Sequence, residues 1–256
     1  MKVEFHNAAG VKLAGRLELP EQPPASYALF AHCFTCGKDI AAASRITRAL
    51  ARRGQGVLRF DFTGLGGSEG DFANTSFSSN VDDLVAAAGY LRQHHGPPRL
   101  LVGHSLGGAA VLLAAERIAE VRAVAAIAAP SDVRHLEPLF EPHRDEIERD
   151  GRKLVSIAGR TFPISRAFLD DLEEHRLLAQ LKDLDRAALV MHSPVDRIVD
   201  IDHARRLFDA LRHPKSFVSL DDANHLLSRK ADAEYAADVL AAWASRYIDQ
   251  ATEPDR

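Results

Sequence analysis

The sequence predicts an α/β protein with a mostly parallel central sheet and helices on both faces. Short, almost continuously apolar runs alternate with helical patterns, which is typical of strands that are buried on both sides between βαβ crossovers. The predicted strands cover residues 27–33, 56–62, 99–104, 121–129, 187–192 and 215–220. The predicted helices cover residues 40–53, 81–94, 106–119, 201–211 and 231–247.

Two segments depart from this alternation. Near the N-terminus, residues 3–6 and 11–19 flank a turn with Asn and Gly, which predicts an antiparallel hairpin at one edge of the sheet. Residues 131–185, which we call the cap segment, hold three prolines, dense mixed charge and apolar residues spaced as in short helices. Because a connection of about 55 residues is too long to be an ordinary loop, we expect one domain, residues 1–256, with a small cap inserted at about 131–185.

Composition and charge exclude several classes of protein. The 256 residues are 46% hydrophobic, unlike a disordered chain, and the formal net charge of −4 predicts neither nucleic acid nor an anionic membrane as a partner. The longest weakly polar stretch, residues 121–130, is too short to span a bilayer. A signal-peptide pattern is absent from the first residues, and two cysteines cannot form a disulfide framework. We therefore expect a soluble, cytoplasmic protein.

The pentapeptide Gly-His-Ser-Leu-Gly, residues 103–107, follows a predicted strand and opens a predicted helix. A G-x-S-x-G sequence in this setting indicates a nucleophile on a sharp strand-to-helix turn, because the turn needs small residues two positions before and after the serine. The helix N-terminus also favours developing negative charge there. The alternative is a serine that only caps the helix. The setting favours Ser105 as the nucleophile.

A base and an acid follow two later strands of the predicted sheet. His225 lies in the loop before the final helix, and Asp196 lies in the loop after strand 187–192. Loops at the carboxyl ends of parallel strands are where such sheets build their sites. The order Ser105, Asp196, His225 is that of α/β-hydrolases. Other nearby carboxylates are expected to cap the next helix or shape the loop before His225: Asp200, Asp202, Asp221 and Asp222.

An oxyanion hole needs two backbone N–H donors. We expect one from Leu106, directly after the nucleophile, and the other from Phe34, in the loop after strand 27–33. The same loop holds Cys33 and Cys36, a C-x-x-C pair that could sense oxidants or form a reversible disulfide.

Neither a cofactor nor a metal ion is expected. The glycine-rich residues 60–70 contain no P-loop signature. We interpret them as a tight loop in which the Asp61 side chain holds backbone groups of the loop. Metal-ligand spacing of His and Cys is also absent from the sequence. Four residues are candidates for lining the substrate pocket: His104, Phe140, Phe162 and Phe168. The alternative is that the three phenylalanines only pack the cap segment against the core.

Four stretches together resemble the hydrolase part of fused α/β-hydrolase–OsmC proteins. They are residues 31–39 (AHCFTCGKD), 58–72 (LRFDFTGLGGSEGDF), 191–196 (MHSPVD) and 213–225 (HPKSFVSLDDANH). The resemblance covers about residues 1–250 and implies the α/β-hydrolase fold and an esterase-like serine hydrolase. In the fused proteins a domain associated with thiol-dependent removal of organic hydroperoxides follows the hydrolase. No such domain follows in this sequence, so we expect no peroxidase role here.

The expected activity is hydrolysis of carboxylic esters with small to medium acyl chains, through an acyl-enzyme on Ser105. A thioesterase or an acyl-peptide hydrolase would use the same three residues. Two further alternatives are a redox-responsive C-x-x-C protein and a binding protein with an inactive triad. The expected partner is a small acyl ester, and a homodimer or a separate OsmC-type partner is left open.

Overall fold

A computed structural model of the protein describes residues 1–157 and 159–248. The strands are β1 (Lys2–His6), β2 (Lys12–Glu18), β3 (Ser26–Ala31), β4 (Gln55–Phe60), β5 (Pro98–His104), β6 (Ala123–Ile127), β7 (Arg152–Ile157), β8 (Arg160–Ser165), β9 (Ala187–His192) and β10 (Lys215–Ser219). The α-helices are α1 (Ala41–Arg52), α2 (Phe77–His94), α3 (Leu106–Arg117), α4 (Arg144–Asp150), α5 (Arg166–Glu174), α6 (Leu177–Gln180), α7 (Ile201–Ala210) and α8 (Lys230–Ile248).

Eight strands form the central sheet in the order β1-β2-β4-β3-β5-β6-β9-β10. The strands from β4 to β10 in this order run parallel, whereas β2 is antiparallel to both β1 and β4. The predicted α/β class and the N-terminal hairpin at one sheet edge are therefore confirmed.

The sheet is covered on both faces. Neighbouring residues of β3 show this, because Leu29 joins an apolar cluster with α2 and α3, and Phe30 joins a second cluster with α1 and α8. Both side chains are almost fully buried. Burial on both faces explains why the strand sequences are continuously apolar rather than alternating.

Strand register brings the carboxyl ends of the parallel strands to one edge. The last or penultimate residues of neighbouring strands lie opposite each other: Ala31 opposite Gly103, His104 opposite Ile127, Ile127 opposite Met191, and His192 opposite Ser219. Loops that leave these strands therefore meet above the same edge of the sheet.

The cap segment differs from its prediction in one respect. Short helices are present, and α5 buries Phe168 as expected, but β7 and β8 form an antiparallel hairpin that the sequence analysis did not predict. The signal available in the sequence was the alternation of the apolar residues that the structure buries: Val155, Ile157, Phe162 and Ile164. It is short, and Pro163 interrupts it, since proline is depleted in strands.

The domain prediction also covers Ala158 and residues 249–256, which lie outside the described residues. None of the described helices is both long and apolar enough to cross a membrane.

Candidate active site

Ser105 lies on a tight turn between β5 and α3. Its backbone angles of φ 55° and ψ −126° are strained for a residue other than glycine. A Cβ on Gly103 would collide with the backbone of Gly107, and a Cβ on Gly107 would collide with the carbonyl oxygen of His32. The G-x-S-x-G spacing is therefore required by close backbone packing around the serine.

Ser105, His225 and Asp196 form a continuous chain of hydrogen bonds. The Ser105 hydroxyl lies 3.0 Å from His225 Nε2, and His225 Nδ1 lies 2.7 Å from Asp196 Oδ2. A carboxylate only accepts, so Nδ1 carries a hydrogen, and in the neutral ring Nε2 is the atom that accepts from the hydroxyl. This arrangement can take a proton from Ser105 and hold the resulting charge on an imidazole beside a carboxylate.

Asp196 is held in place by its own loop. Its second oxygen, Oδ1, accepts hydrogen bonds from the backbone N–H groups of Ile198 (2.8 Å) and Val199 (3.0 Å). Burial raises the pKa of this carboxyl, but the hydrogen bonds from His225, Val199 and Ile198 outweigh that effect and hold the pKa below its ordinary value. Asp196 is therefore ionised at neutral pH.

The other carboxylates near these loops have different partners. Asp200 caps α7 by accepting from the N–H of Asp202 (2.8 Å), and Asp222 pairs with Arg229. Asp61 accepts from the backbone N–H groups of Lys38 and Gly67. These contacts agree with the predictions that Asp200 caps a helix and that Asp61 holds backbone N–H groups. Asp202 does not cap α7; it lies in the first turn and pairs with Arg205.

The two expected oxyanion donors are free within the described residues. The N–H of Leu106 starts α3, where the first helical turn has no internal acceptor, and neither it nor the N–H of Phe34 donates a hydrogen bond there. Their loops are adjacent, since the backbone of Gly107 packs against that of residues 31–32.

The direction of the Phe34 N–H is fixed by the carbonyl of Cys33. That carbonyl accepts from the Cys36 N–H (3.1 Å) and from the His32 ring at Nδ1 (2.8 Å). In a trans peptide the C=O and the following N–H point in opposite directions. Anchoring the carbonyl of Cys33 therefore orients the N–H of Phe34. A disulfide between Cys33 and Cys36 closes the same turn, with Cα atoms 5.3 Å apart, and its redox role stays a prediction.

A narrow cavity lies beside these donors. Its volume of about 10 Å³ leaves room for no more than one water molecule. The cavity is lined by His32, Cys33, Phe34, Thr35, Phe62, Leu65, Phe72, Asn80, Leu106, Gly107 and Ala110. The four pocket candidates from the sequence do not line it.

Three of those candidates belong to an aromatic cluster instead. Phe140, Phe162 and Phe168 of the cap segment pack with Phe34 and Phe72, with ring centroids 5.2 to 6.4 Å apart. This contact agrees with the alternative that these rings seat the cap segment on the core. Phe72 was not predicted to lie here; the glycine-rich loop after β4 brings it to the cluster.

A polar contact joins the cap segment to the oxyanion loop as well. The Arg160 guanidinium donates to the carbonyl oxygen of Thr35 (2.9 Å) and lies over the Phe162 ring. Thr35 has a positive φ of 59°, which is rare for a β-branched residue. The cap segment therefore contacts the loop that carries Phe34 through both rings and a hydrogen bond.

The fourth candidate, His104, does not line the cavity and is 1% exposed. Its Nε2 lies 2.6 Å from the backbone carbonyl oxygen of His225. Two further buried histidines, His32 and His192, end or follow β3 and β9. Neither histidine was predicted to have a role, and only their position at strand ends could have indicated one. Among the described residues, no group of three or more His, Cys, Asp or Glu is arranged to hold a metal ion.

Comparisons with known proteins agree with this architecture. Residues 28–248 match the profile of the Alpha/beta hydrolase family. The chain is 46% identical to the esterase domain from a Rhodothermus marinus protein, with a TM-score of 0.79 over 97% of this chain and 98% of that one. Est1E from Butyrivibrio proteoclasticus, solved with ferulic acid, is 19% identical, with a TM-score of 0.83 over 97% of this chain and 100% of that one. The predicted α/β-hydrolase fold is confirmed.

A curated relative carries a different description. Mouse "Palmitoyl-protein thioesterase ABHD10, mitochondrial" is 29% identical over 186 residues, which are 70% of this chain and 62% of that protein. The match thus spans less than two thirds of that relative's length. The finer resemblance to hydrolases fused to an OsmC domain stays a prediction.

Proposed function

Because the chain belongs to the α/β hydrolase family, we propose that it is a serine hydrolase that cleaves carboxylic esters of small to medium acyl groups. The observation that carries the proposal is the hydrogen-bonded chain from Ser105 through His225 to Asp196, on a strained turn beside two free N–H donors. A serine that only capped α3 would not need this chain, and the Ser105 side chain makes no capping hydrogen bond.

In the proposed mechanism Ser105 Oγ attacks the ester carbonyl carbon while His225 Nε2 takes the hydroxyl proton. Asp196 stabilises the imidazolium that forms. The tetrahedral intermediate collapses, His225 gives its proton to the leaving alcohol, and the acyl group remains on Ser105. A water molecule then attacks the acyl-enzyme with His225 again as the base, which releases the carboxylic acid and restores the serine.

The developing oxyanion is proposed to accept hydrogen bonds from the N–H groups of Leu106 and Phe34. Loss of one such donor typically raises the barrier by about 3–4 kcal/mol. Because the two donors are backbone groups on adjacent loops, they need no side-chain rearrangement when the charge develops.

The preference for small to medium acyl groups rests on the modest length of the cap segment, about 55 residues. Phe34, which carries one of the proposed oxyanion donors, packs against the Phe140 and Phe168 rings of that segment. A relative described as an esterase domain, at 46% identity, supports ester hydrolysis. The expected cytoplasmic location, homodimer and OsmC-type partner stay predictions.

The test compares the wild-type protein with Ser105→Ala on 4-nitrophenyl esters from acetate to octanoate. We expect Ser105→Ala to lower kcat by at least about 10⁴-fold, as nucleophile removal does in other serine hydrolases, and wild-type kcat/KM to be highest for the shorter esters. Ser156→Ala, an exposed serine on β7, is the matched control and should leave both constants unchanged. Full activity in Ser105→Ala would overturn the proposal.

A thioesterase is the second candidate function, because the mouse relative is described as one. The same acyl group is offered on oxygen and on sulfur, as the 4-nitrophenyl ester and as an N-acetylcysteamine thioester. A kcat/KM ratio that favours the thioester at every chain length would replace the ester proposal. Preferential cleavage of an acyl-peptide anilide would indicate an acyl-peptide hydrolase instead.

A further inference from the structure

Three fully buried histidines surround the site without belonging to the Ser105–His225–Asp196 chain. Each has one ring nitrogen 2.6 to 2.8 Å from a backbone carbonyl oxygen: His32 on Cys33, His104 on His225, and His192 on Val199. In each ring the second nitrogen has no partner within the described residues. A carbonyl only accepts, so the contacting nitrogen must carry a hydrogen and act as the donor.

His104 has the most direct connection to the chemistry. It precedes Ser105 in the chain and ends β5, and its ring donates to the main chain of His225 itself, 121 positions away. The two rings lie 5.1 Å apart between centroids. The bond therefore joins the strand that carries the nucleophile to the loop that carries the base.

The loop of His225, between Ser219 and Lys230, contains neither helix nor strand, and local hydrogen bonds such as those from Leu227 and Ser228 to Asn224 shape it. It runs from β10 to α8 through two residues with positive φ, Asp221 (45°) and Leu227 (46°). Its start is tied to the loop after β9 by the Ser193 hydroxyl, which donates to the carbonyl of Asp221 (2.8 Å). At His225 itself, the His104 ring supplies the contact that reaches the main chain from the sheet.

His104 is suited to this contact because it stays uncharged. Burial, and after it the neighbouring His225, lowers the pKa of His104 to about 4, against smaller raising effects of its bond to the His225 carbonyl and of Asp196. An uncharged ring donates through Nε2 without placing a cation beside the imidazolium that forms on His225 during the reaction.

We propose that His104 is a positioning residue, whose ring N–H holds the backbone carbonyl of His225 and thereby sets the spacing between His225 Nε2 and Ser105 Oγ. The inference rests on the proposed function, in which that spacing governs proton transfer. Displacement of a reacting group by about 1 Å can cost about 100-fold in rate.

The experiment compares His104→Leu, which removes the donor and fills the space, with His104→Gln, whose amide N–H can reach the same carbonyl. We expect His104→Leu to lower kcat by about 10- to 100-fold with KM changed less than about twofold. His104→Gln should regain kcat to within about threefold of the wild type. Thermal unfolding checks that both variants are folded, since a purely structural role would lower stability without this split between kcat and KM.

Nuclear magnetic resonance of the wild-type protein reports the protonation of His104 without any measurement of turnover. With ¹⁵N-labelled histidine at pH 7, we expect His104 as the neutral tautomer with its hydrogen on Nε2. A hydrogen on Nδ1 alone, or a doubly protonated ring, would overturn the inference whether or not the variants fold. The low-field proton of the His225–Asp196 hydrogen bond should be seen in the wild type and His104→Gln, and broadened or shifted in His104→Leu.

Failure of the inference can be told apart from failure of the proposed function. Wild-type kcat in His104→Leu, or an equal loss in His104→Gln, contradicts the positioning role while ester hydrolysis stands. A wild-type protein that does not hydrolyse esters contradicts the proposed function, and the resonances of His104 and His225 then decide the positioning role by themselves.

Discussion

The loops at the carboxyl edge of the sheet and the cap segment are held by different balances of hydrogen bonds and apolar contacts. In the edge loops, Asp196, His225 and the carbonyl of Cys33 are fixed by directional hydrogen bonds, several from backbone N–H groups or buried rings. The cap segment meets the core through the rings of Phe140, Phe162 and Phe168. Fewer hydrogen bonds join it to the core, among them Arg160 to the carbonyl of Thr35 and Ser78 to Asp171.

Because of this difference, we expect the edge loops and the cap segment to have different roles. Hydrogen bonds have narrow limits of distance and angle, so the edge loops can hold reacting atoms in one geometry. Apolar contacts are non-directional, so rings can be exchanged at a cost in stability while the edge loops keep their arrangement. We therefore expect changes in the edge loops to alter kcat, and changes in the cap segment to alter stability and substrate choice.

The largest expected effect comes from Asp196→Asn. The amide cannot accept from both His225 and the backbone N–H groups as the carboxylate does, and it does not stabilise an imidazolium. Because the matching change in a chymotrypsin-type triad costs about 10⁴-fold in kcat, we expect a loss of that order with the fold intact. Steady-state kinetics and circular dichroism measure the two.

Asp200→Asn is the matched control, four residues further along. Asp200 caps α7, and asparagine caps helices about as well as aspartate, so neither kcat nor stability should change. If Asp200→Asn lost as much activity as Asp196→Asn, the assignment of the acid would be wrong.

Phe168→Ala tests the expected contribution of the cap segment to stability and substrate choice. Phe168 is 2% exposed at the centre of the aromatic cluster, and such truncations typically lower the free energy of unfolding by about 3–5 kcal/mol. We also expect kcat/KM to shift toward longer acyl chains, because the space beside Phe34 becomes larger. Denaturant titration and the ester series measure these effects.

Phe217→Ala, at a 43% exposed ring on β10, serves as the control and should change the free energy of unfolding by less than about 1 kcal/mol. A loss of kcat for the shortest ester in Phe168→Ala, without any change in chain-length preference, would contradict the division between the two regions.

A smaller effect is expected from pH, through His104. Its pKa of about 4 in the folded protein lies below the ordinary value of 6.5. Below pH 6.5 the unfolded chain therefore binds a proton that the folded protein does not, and stability falls as pH decreases. The free energy of unfolding should drop by about 3 kcal/mol between pH 7 and pH 4 from this residue.

Denaturant titrations of the wild type and His104→Gln at both pH values isolate this contribution. The other titrating groups contribute in both proteins, so the variant should lose less stability by about that amount. Equal losses would mean that His104 does not stay uncharged in the folded protein.

The contrast between the two regions also explains what the sequence could predict. The turn at Ser105 was predictable because the collision that a Cβ on Gly103 would make with Gly107 acts within five residues, although the collision at Gly107 is with the carbonyl oxygen of His32 at the end of β3. The proximity of Asp196 to His225 was predictable because loops after parallel strands converge, whatever their separation along the chain. These parts follow from local sterics and from the class of sheet.

Other parts depend on contacts that no local pattern encodes. The hairpin of β7 and β8 has only four alternating buried residues, interrupted by Pro163. The bond from His104 to the carbonyl of His225 joins residues 121 positions apart, and its acceptor is a backbone group that every residue has. The packing of Phe72 with the rings of the cap segment likewise depends on tertiary structure.

The central claim, that Ser105 is an activated nucleophile, is tested most directly by labelling with a fluorophosphonate probe and peptide mass spectrometry. The expected result is one adduct per chain, on Ser105, with labelling much slower in Asp196→Asn and absent in Ser105→Ala. A folded wild-type protein that remains unlabelled, or an adduct on another residue that persists in Ser105→Ala, would contradict it.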